Sequence, residues 1–365
     1  MCFGFYFYLC TVTVIVMISR NNDTSDCLRI GAGDPRIAYV GRIKRDATGA
    51  VHFRLPGVQI HARFAGTAVA LEMAPWSGYF LVELDDLAPY KVMSSRCDTV
   101  IEVANDLTPS EHRITITYCN EGECAPPVFY GLLLSTDGRM LDRPVLPSTR
   151  LEFIGDSITC GYGNEDTSEG KAFPYPNISN AYYSYAQLTA RMLKAQCVQV
   201  ARSGICLNYD RYTPGVGVFH DMETLYPYTL FSPEHDTELW DHNQYVPHVV
   251  CINLGTNDVE QPTFDKDEFA RNMVEFVKMI RGRYAQAKVV LLTGPMLHGE
   301  QLASIKAALD QATAALNAAG ETQVYRYDFT PMDGSHGYGT LDHPTVAEHT
   351  SMARSLTAFL QPLLP

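Results

Sequence analysis

The 365-residue sequence predicts an α/β protein in two parts: an N-terminal β-sandwich of the jelly-roll type, then a three-layer α/β/α domain with a mainly parallel sheet. Two observations carry this prediction. In the first half, apolar and polar residues alternate over short runs, as in strands with one buried face, and no helical period is evident. In the second half, short continuous apolar runs are separated by helical patterns, as in parallel strands covered on both faces. The length also exceeds the usual span of one hydrophobic core.

The predicted β-sandwich covers residues 30–147. Strands with one buried face are indicated by alternating apolar positions at residues 51–55, 58–64, 69–73 and 114–118. Turn-forming residues separate such runs at hairpin spacing. We place the end of the sandwich near residues 143–149, where Pro144 and Pro147 interrupt the pattern.

The predicted α/β domain covers residues 148–365. Parallel strands are indicated by short apolar runs at residues 151–154, 198–200, 249–254, 289–292 and 324–327. Between them lie helical patterns, of which the alanine-rich stretch at residues 303–319 ends at Gly320, a natural helix terminator. In such a sheet, ligands bind at the carboxyl ends of the strands. A site is therefore expected in the loops that follow these runs.

The composition is that of an ordinary globular protein, with 46% hydrophobic residues and no long polar tract. The formal net charge of -13 repels the phosphates of nucleic acids and anionic lipid headgroups. Nucleic acid is therefore not expected as a partner, and a neutral substrate is favoured.

Residues 1–20 begin with an uncharged apolar run that is typical of a signal segment or a membrane anchor. No cation precedes the run, Arg20 follows it, and no small-residue cleavage site is evident, so a translation start at Met17 competes on equal terms. Localisation stays open: secreted or periplasmic if the segment is a signal, cytoplasmic otherwise. A stable membrane partner is expected only if the segment is an anchor.

Ten cysteines are scattered along the chain and do not form the dense framework of a small disulfide-rich protein. Cys119 and Cys124 are close enough in sequence for a local disulfide, and two free thiols are an equal alternative. A zinc ribbon needs a second closely spaced pair, which the sequence lacks. No metal site is predicted.

The strongest candidate for chemistry is Ser157, which follows a buried strand in a turn of small residues, Gly155-Asp156-Ser157. A serine presented there, at a helix N-terminus, can attack a carbonyl and use its own backbone N–H to help hold the resulting oxyanion. Gly-Asp-Ser alone would be weak support, because such residues are common in strand-ending turns.

Three further positions at strand ends strengthen this hypothesis. Gly204 follows the run at residues 198–200 and can bring its backbone N–H close to a ligand. Asn257 follows the run at residues 249–254, and its amide can donate to an oxyanion. His343 lies on a loop before a helical pattern near the chain end and can act as the base for Ser157.

These residues resemble the conserved blocks of the SGNH (GDSL-like) hydrolase superfamily, over about residues 151–360. The matching blocks are Gly155-Asp156-Ser157, Gly204, Gly255-x-Asn257-Asp258 and His343-Pro344. The longer string Phe-Ile-Gly-Asp-Ser-Ile-Thr-Cys-Gly-Tyr-Gly-Asn-Glu, followed by Ala-Tyr-Tyr-Ser-Tyr-Ala and Trp240, resembles the family 2 carbohydrate esterases in particular.

The resemblance implies an N-terminal jelly roll ahead of an SGNH hydrolase domain, and the removal of acetyl groups from polysaccharides such as xylan and glucomannan. It implies that Ser157 is the nucleophile and His343 the base, with an oxyanion hole formed by Ser157, Gly204 and Asn257. No cofactor is implied. The expected partner is an acetylated polysaccharide or oligosaccharide.

The histidine block departs from the superfamily pattern. Many members carry an aspartate three residues before the histidine, and Thr340 occupies that position here. Asp342 adjoins His343, and neighbouring side chains on a loop seldom point at each other, so Asp342 is a doubtful third member. The branch that the sequence resembles includes enzymes with a Ser-His dyad whose imidazole is held by a backbone carbonyl, and the resemblance implies the same arrangement here.

Three aromatic residues, Tyr162, Tyr226 and Trp240, are candidates for stacking on sugar rings, with core packing as the competing explanation. Two other functions compete with polysaccharide deacetylation. One is an esterase or thioesterase acting on small or lipid acyl esters, although no long apolar segment adjoins the site motifs. The other is a catalytically inactive carbohydrate-binding protein.

Overall fold

The computed structural model describes residues 27–122, 126–168, 176–213, 217–231 and 236–365. The candidate signal or anchor segment at residues 1–20 lies outside these ranges, as does Cys124. Cys119 is a buried free thiol. Within the described ranges, none of the helices is long and apolar enough to cross a lipid bilayer.

The first part of the chain forms two antiparallel sheets of six strands each. Their strands are β1 (Cys27–Gly31), β2 (Ala38–Val40), β3 (Lys44–Arg45), β4 (Val51–His52), β5 (Gln59–Gly66), β6 (Val69–Met73), β7 (Tyr79–Leu84), β8 (Tyr90–Met93), β9 (Val100–Ala104), β10 (Ser110–Tyr118), β11 (Val128–Ser135) and β12 (Arg139–Met140). One sheet has the order β3-β4-β11-β6-β9, with β1 also paired to β11. The other has the order β12-β5-β10-β7-β8, with β2 also paired to β5.

The apolar alternation in the sequence becomes the core between these two sheets. In β6, Val69, Leu71 and Met73 are buried, whereas Ala70 and Glu72 are partly exposed. The inward residues of both sheets belong to one hydrophobic cluster. The strands therefore form a β-sandwich because each sheet has one apolar face to bury.

The second part is built on a parallel sheet of five strands in the order β14-β13-β17-β18-β19. These strands are β13 (Arg150–Gly155), β14 (Gln196–Ala201), β17 (Val249–Asn253), β18 (Lys288–Thr293) and β19 (Val324–Asp328), and a separate hairpin contains β15 (Arg211–Thr213) and β16 (Gly217–Phe219). The helices are α1 (Ser157–Cys160), α2 (Tyr185–Met192), α3 (Met222–Leu225), α4 (Lys266–Arg283), α5 (Gly299–Ala318) and α6 (Val346–Leu360). Short 3-10 turns lie at Pro176–Ile178, Ala181–Tyr183, His242–Gln244, Thr340–Asp342 and Gln361–Leu363.

Helices cover both faces of this sheet. Helices α4 and α5 pack on one face, with Phe276 and Ile305 in the cluster that they bury. Helices α2 and α6 pack on the other, where Tyr185 and Leu356 are fully buried. The predicted fold class, a β-sandwich followed by a three-layer α/β/α domain with a parallel sheet, is confirmed.

The order of the parallel strands points to one place for a site. The chain runs from β13 outward to β14, then returns to β17 on the other side of β13 and continues through β18 to β19. Open sheets bind ligands where the direction of strand addition reverses, beyond the carboxyl ends of the strands. That point lies between β13 and β17, which end at Gly155 and Asn253.

The sandwich is joined to the α/β part by a buried ion pair. Arg42, which precedes β3, is fully buried, and its Nη2 lies 3.7 Å from Oε1 of Glu152 in β13. The guanidinium lies over the rings of Tyr226 and Trp240, 4.5 and 5.6 Å from their centroids. Its Nη1 donates to the carbonyl oxygens of Tyr226 and Tyr228. An arginine of the first part is thus enclosed by groups of the second.

We expect Arg42→Met to lower the free energy of unfolding by about 3–5 kcal/mol, because Glu152 would stay buried without its cation. Urea denaturation followed by tryptophan fluorescence measures the loss, since Trp240 packs against Arg42. The control is Arg63→Met, which removes an exposed ion pair with Glu111 and should change stability by less than about 1 kcal/mol. Equal losses in the two variants would contradict a special role for the buried pair.

Candidate active site

Ser157 is presented by a tight turn between β13 and α1. Asp156 is the N-cap of α1, and its carboxylate accepts a hydrogen bond of 3.0 Å from the N–H of Ile158. Position 155 requires glycine, because a Cβ there would lie 2.1 Å from Oγ1 of Thr159. Ser157 is 7% exposed. The sequence therefore places this hydroxyl at the first turn of a helix and at the carboxyl end of a central strand.

The structure brings His343 to Ser157 across 186 residues of sequence: Nε2 of His343 lies 2.7 Å from Oγ of Ser157. The other ring nitrogen, Nδ1, lies 2.8 Å from the carbonyl oxygen of Thr340 and 3.1 Å from that of Leu341. Because carbonyl oxygens only accept, Nδ1 carries the proton and Nε2 is left to accept from the serine hydroxyl. This is the tautomer that a base for Ser157 needs.

A strained turn supplies these two carbonyls. Leu341 and Asp342, both in the 3-10 turn Thr340–Asp342, have φ of 51° and 60°, in the left-handed region that side chains other than glycine seldom adopt. Such a turn folds the chain back on itself, so that the carbonyls of residues 340 and 341 both face the imidazole. Strain of this kind is often concentrated at functional sites.

The Asp342 carboxylate is not bonded to the imidazole. Its side chain is exposed, and among the described residues no hydrogen bond or ion pair connects it to His343, although its nearby charge raises the pKa of that histidine. The two carbonyls occupy the place that a carboxylate takes in a triad.

Thr340, at the position of the superfamily's aspartate, anchors this turn. Its side chain is buried, and Oγ1 donates to Oδ2 of Asp166 over 3.1 Å. A Cβ at Gly163 would lie 2.4 Å from Cβ of Thr340, so the two segments are in direct contact. No sequence motif points to Asp166, because its partner lies 174 residues away.

The state of the imidazole suits a base. Burial lowers the pKa of His343 below its ordinary value of 6.5, while the hydrogen bonds to the carbonyls of Thr340 and Leu341 oppose that shift. The ring is therefore neutral at pH 7 and able to accept a proton.

The two loops that carry Gly204 and Asn257 contact each other, and the first adjoins the serine turn, where the N–H of Arg202 donates to the carbonyl oxygen of Gly155. Gly204 has a φ of 76° in the turn after β14. Asn257, in the turn after β17, donates from Nδ2 to the carbonyl oxygen of Ile205 over 3.0 Å. A primary amide has two N–H groups, so this bond fixes the side chain and leaves its second hydrogen for a ligand.

Two buried carboxyl groups lie behind these loops. Asp156 supports the serine turn, and Asp258 accepts a hydrogen bond of 2.8 Å from the N–H of Leu207. Burial raises the pKa of each to about 7, and for Asp156 the neighbouring charge of Asp258 adds to the effect. These aspartates hold the turns together and are not exposed to a substrate.

The three predicted stacking residues lie in different environments. Tyr162 is half-buried, and its ring centroid lies 4.9 Å from that of His343, so it borders the site. Tyr226 and Trp240 are buried in the core, against Arg42. Their burial, at 1% and 6% exposed, favours core packing, the competing explanation, over stacking on sugar rings.

Comparison with known proteins agrees with this architecture. Residues 39–144 match the family model described as carbohydrate esterase 2 N-terminal, and residues 153–350 match that of the GDSL-like lipase/acylhydrolase family. A solved structure of a family two carbohydrate esterase from Clostridium thermocellum, in complex with cellohexaose, is similar with a TM-score of 0.82 and 32% identity; the match covers 89% of this chain and 98% of that one. The chain belongs to the family 2 carbohydrate esterases.

Curated relatives of this family 2 esterase chain extend the comparison. It is 33% identical over 330 residues to the cellulase/esterase CelE of Acetivibrio thermocellus. That match covers 89% of this chain and 39% of the relative. It is 26% identical over 365 residues to an acetylxylan esterase / glucomannan deacetylase of Cellvibrio japonicus, covering 98% of each. The chain thus spans about two fifths of the first relative and nearly the whole of the second.

Proposed function

We propose that this family 2 carbohydrate esterase removes O-acetyl groups from acetylated xylan, glucomannan or their oligosaccharides, through a Ser157–His343 dyad and an acyl-enzyme. The observation that carries the proposal is the 2.7 Å contact between Oγ of Ser157 and Nε2 of His343, whose Nδ1 is held by two carbonyls. The substrate class rests on the name of the Cellvibrio japonicus relative. The acidic chain is also compatible with a neutral glycan.

In the first half of the reaction, Oγ of Ser157 attacks the acetyl carbonyl carbon while Nε2 of His343 takes the hydroxyl proton. The electron pair of the carbonyl moves to its oxygen, and the N–H groups of Ser157 and Gly204 and the amide of Asn257 donate to that oxyanion. The tetrahedral intermediate then collapses and the bond to the sugar oxygen breaks. That oxygen takes the proton from Nε2, leaving Ser157 acetylated.

In the second half, a water molecule repeats the sequence in the place of the sugar hydroxyl. Nε2 of His343 takes a proton from the water, whose oxygen attacks the acetyl carbon, and the same donors hold the oxyanion. Collapse breaks the bond to Oγ of Ser157, which recovers its proton from Nε2. Acetate leaves and the enzyme is restored.

A dyad held by carbonyls differs from a full triad in one respect. The carbonyls of Thr340 and Leu341 fix the tautomer and the ring plane, as an aspartate would. They carry no full negative charge, so they stabilise the imidazolium less than a carboxylate does. Orientation is therefore the main contribution of this turn.

Binding of a glycan without hydrolysis is the second candidate function. It is favoured by the solved structure of the Clostridium thermocellum relative, which holds cellohexaose. Against it, the serine, the histidine and the proposed oxyanion donors are all present in this chain.

The test is acetate release from acetylated xylan and acetylated glucomannan, with 4-nitrophenyl acetate, butyrate and decanoate measured alongside. We expect release from a polysaccharide and a kcat/KM that falls as the acyl chain lengthens. Faster hydrolysis of the decanoate would favour a lipid esterase. Binding of cellohexaose with no hydrolysis of any ester would favour the binding protein and overturn the proposal.

A further inference from the structure

The sandwich reaches the proposed oxyanion hole through one carboxylate. Glu121 follows β10, and its Oε2 accepts a hydrogen bond of 2.6 Å from the N–H of Ser203. Its Oε1 accepts a second, of 2.5 Å, from the Ser203 hydroxyl. The two residues are 82 positions apart in sequence and lie in different parts of the fold. Both distances are short, as is typical of hydrogen bonds to an ionised acceptor, which are also stronger than neutral ones.

Ser203 is the residue directly before Gly204. The carbonyl of Ser203 and the N–H of Gly204 belong to one planar peptide unit, so fixing Ser203 restricts the direction of that N–H. On the far side of the same turn, Asn257 holds the carbonyl oxygen of Ile205. Gly204 has a φ of 76°, a conformation that glycine adopts at no steric cost. The bonds to Ser203 and Ile205 therefore restrict the backbone on both sides of this glycine.

Glu121 is well supported by its own neighbours. The side chain of Asn120 accepts a hydrogen bond of 2.8 Å from the N–H of Tyr79, and the carbonyl of Cys119 accepts one from the N–H of Ala181. On the other side, Gly122 packs so closely on Arg54 that a Cβ would lie 2.9 Å from the Arg54 carbonyl oxygen. The carboxylate thus projects from a fixed backbone.

We propose that Glu121 is a positioning residue for the esterase, by which the β-sandwich holds the Gly204 N–H on the reacting oxygen. The proposal rests on the function proposed above, because it needs Gly204 to be an oxyanion donor. It assigns the sandwich a part in catalysis beyond packing. Donors of this kind must be held within about 0.5 Å of the productive position, which a glycine turn cannot ensure alone.

The test compares Glu121→Ala with Glu111→Ala on hydrolysis of 4-nitrophenyl acetate. We expect Glu121→Ala to lower kcat by about tenfold to a hundredfold with KM nearly unchanged, somewhat less than the loss of a whole oxyanion donor. A loss shared equally by kcat and kcat/KM marks an interaction made only in the transition state. Glu111 lies at the opposite end of β10 in an exposed ion pair, and its variant should match the parent.

A second pair of variants separates positioning from folding. Ser203→Ala keeps the N–H bond and loses the hydroxyl bond, so we expect a smaller fall in kcat, and the double variant should be no worse than Glu121→Ala alone. The kcat of Glu121→Gln should lie between those of Glu121→Ala and the parent. The glutamine side chain has one acceptor oxygen, so it can keep one of the two hydrogen bonds from Ser203. If Glu121→Ala does not fold, the kcat values of Glu121→Gln and Ser203→Ala test the proposal instead.

Three outcomes overturn the inference: kcat of Glu121→Ala equal to that of Glu111→Ala, effects of Glu121→Ala and Ser203→Ala that multiply, or a fall confined to the melting temperature. Where Glu121→Ala does not fold, parental kcat in Glu121→Gln and Ser203→Ala overturns it. An inactive parent would instead overturn the proposed function, so the two failures are distinguishable.

Discussion

Ser157→Ala should lower kcat/KM for 4-nitrophenyl acetate on the order of 10⁴-fold or more, because no other group can form the acyl-enzyme. The melting temperature should stay within a degree or two of the parent, since the change removes one hydroxyl, which bonds to His343, and keeps the backbone of the turn. Stopped assays with purified protein and a thermal melt measure both quantities. Acetate release from acetylated xylan should disappear together with hydrolysis of the small ester.

The matched control is Ser355→Ala, which removes an exposed serine hydroxyl from the C-terminal half of α6. It should retain parental activity. Hydrolysis surviving in Ser157→Ala, or a large fall in its melting temperature, would contradict the assignment of Ser157 as nucleophile.

His343→Ala should cause a loss of similar size, because Oγ of Ser157 would have no acceptor for its proton. Asp342→Ala should change kcat/KM by less than about threefold, since two backbone carbonyls hold the imidazole and the carboxylate is exposed. The pair of variants is measured on the same ester at pH 7, where the imidazole is neutral.

The two variants together distinguish a dyad from a triad. A loss of a hundredfold or more in Asp342→Ala would show that this carboxylate supports the imidazolium in solution, against the geometry. A small effect in both variants would remove His343 from the mechanism altogether.

Much of the fold could be predicted because its signals are local. The alternation at residues 69–73 and the apolar run at residues 249–254 became β6 and β17 with nearly the expected bounds. The start of α5 was predicted four residues late. His298 occupies the N-cap and makes no side-chain capping bond. The residues that usually mark a helix start, Ser, Thr, Asp or Asn, are absent at that position.

In the candidate site too, residues with a local sequence signal could be predicted and residues without one could not. Ser157, Gly204 and Asn257 lie in the turns that follow β13, β14 and β17, so strand ends in the sequence were enough to propose them as candidates. Glu121 and Asp166 act on partners that are distant in sequence, and no spacing rule signals such pairs. For Tyr226 and Trp240 the sequence left two explanations open, because an aromatic residue has the same sequence signal in a core as on a sugar-binding surface. Their burial against Arg42 favours the core.

The enclosed arginine also affects how this chain matures on the ribosome. Arg42 bonds to the carbonyl of Tyr226, which is translated 184 residues later. At the usual 5–20 residues per second, the nascent sandwich waits on the order of 10–40 s before this acceptor emerges. The charged residues by which the sandwich contacts the second part, Arg42, Lys91 and Glu121 among them, reach their partners only after that part has been translated.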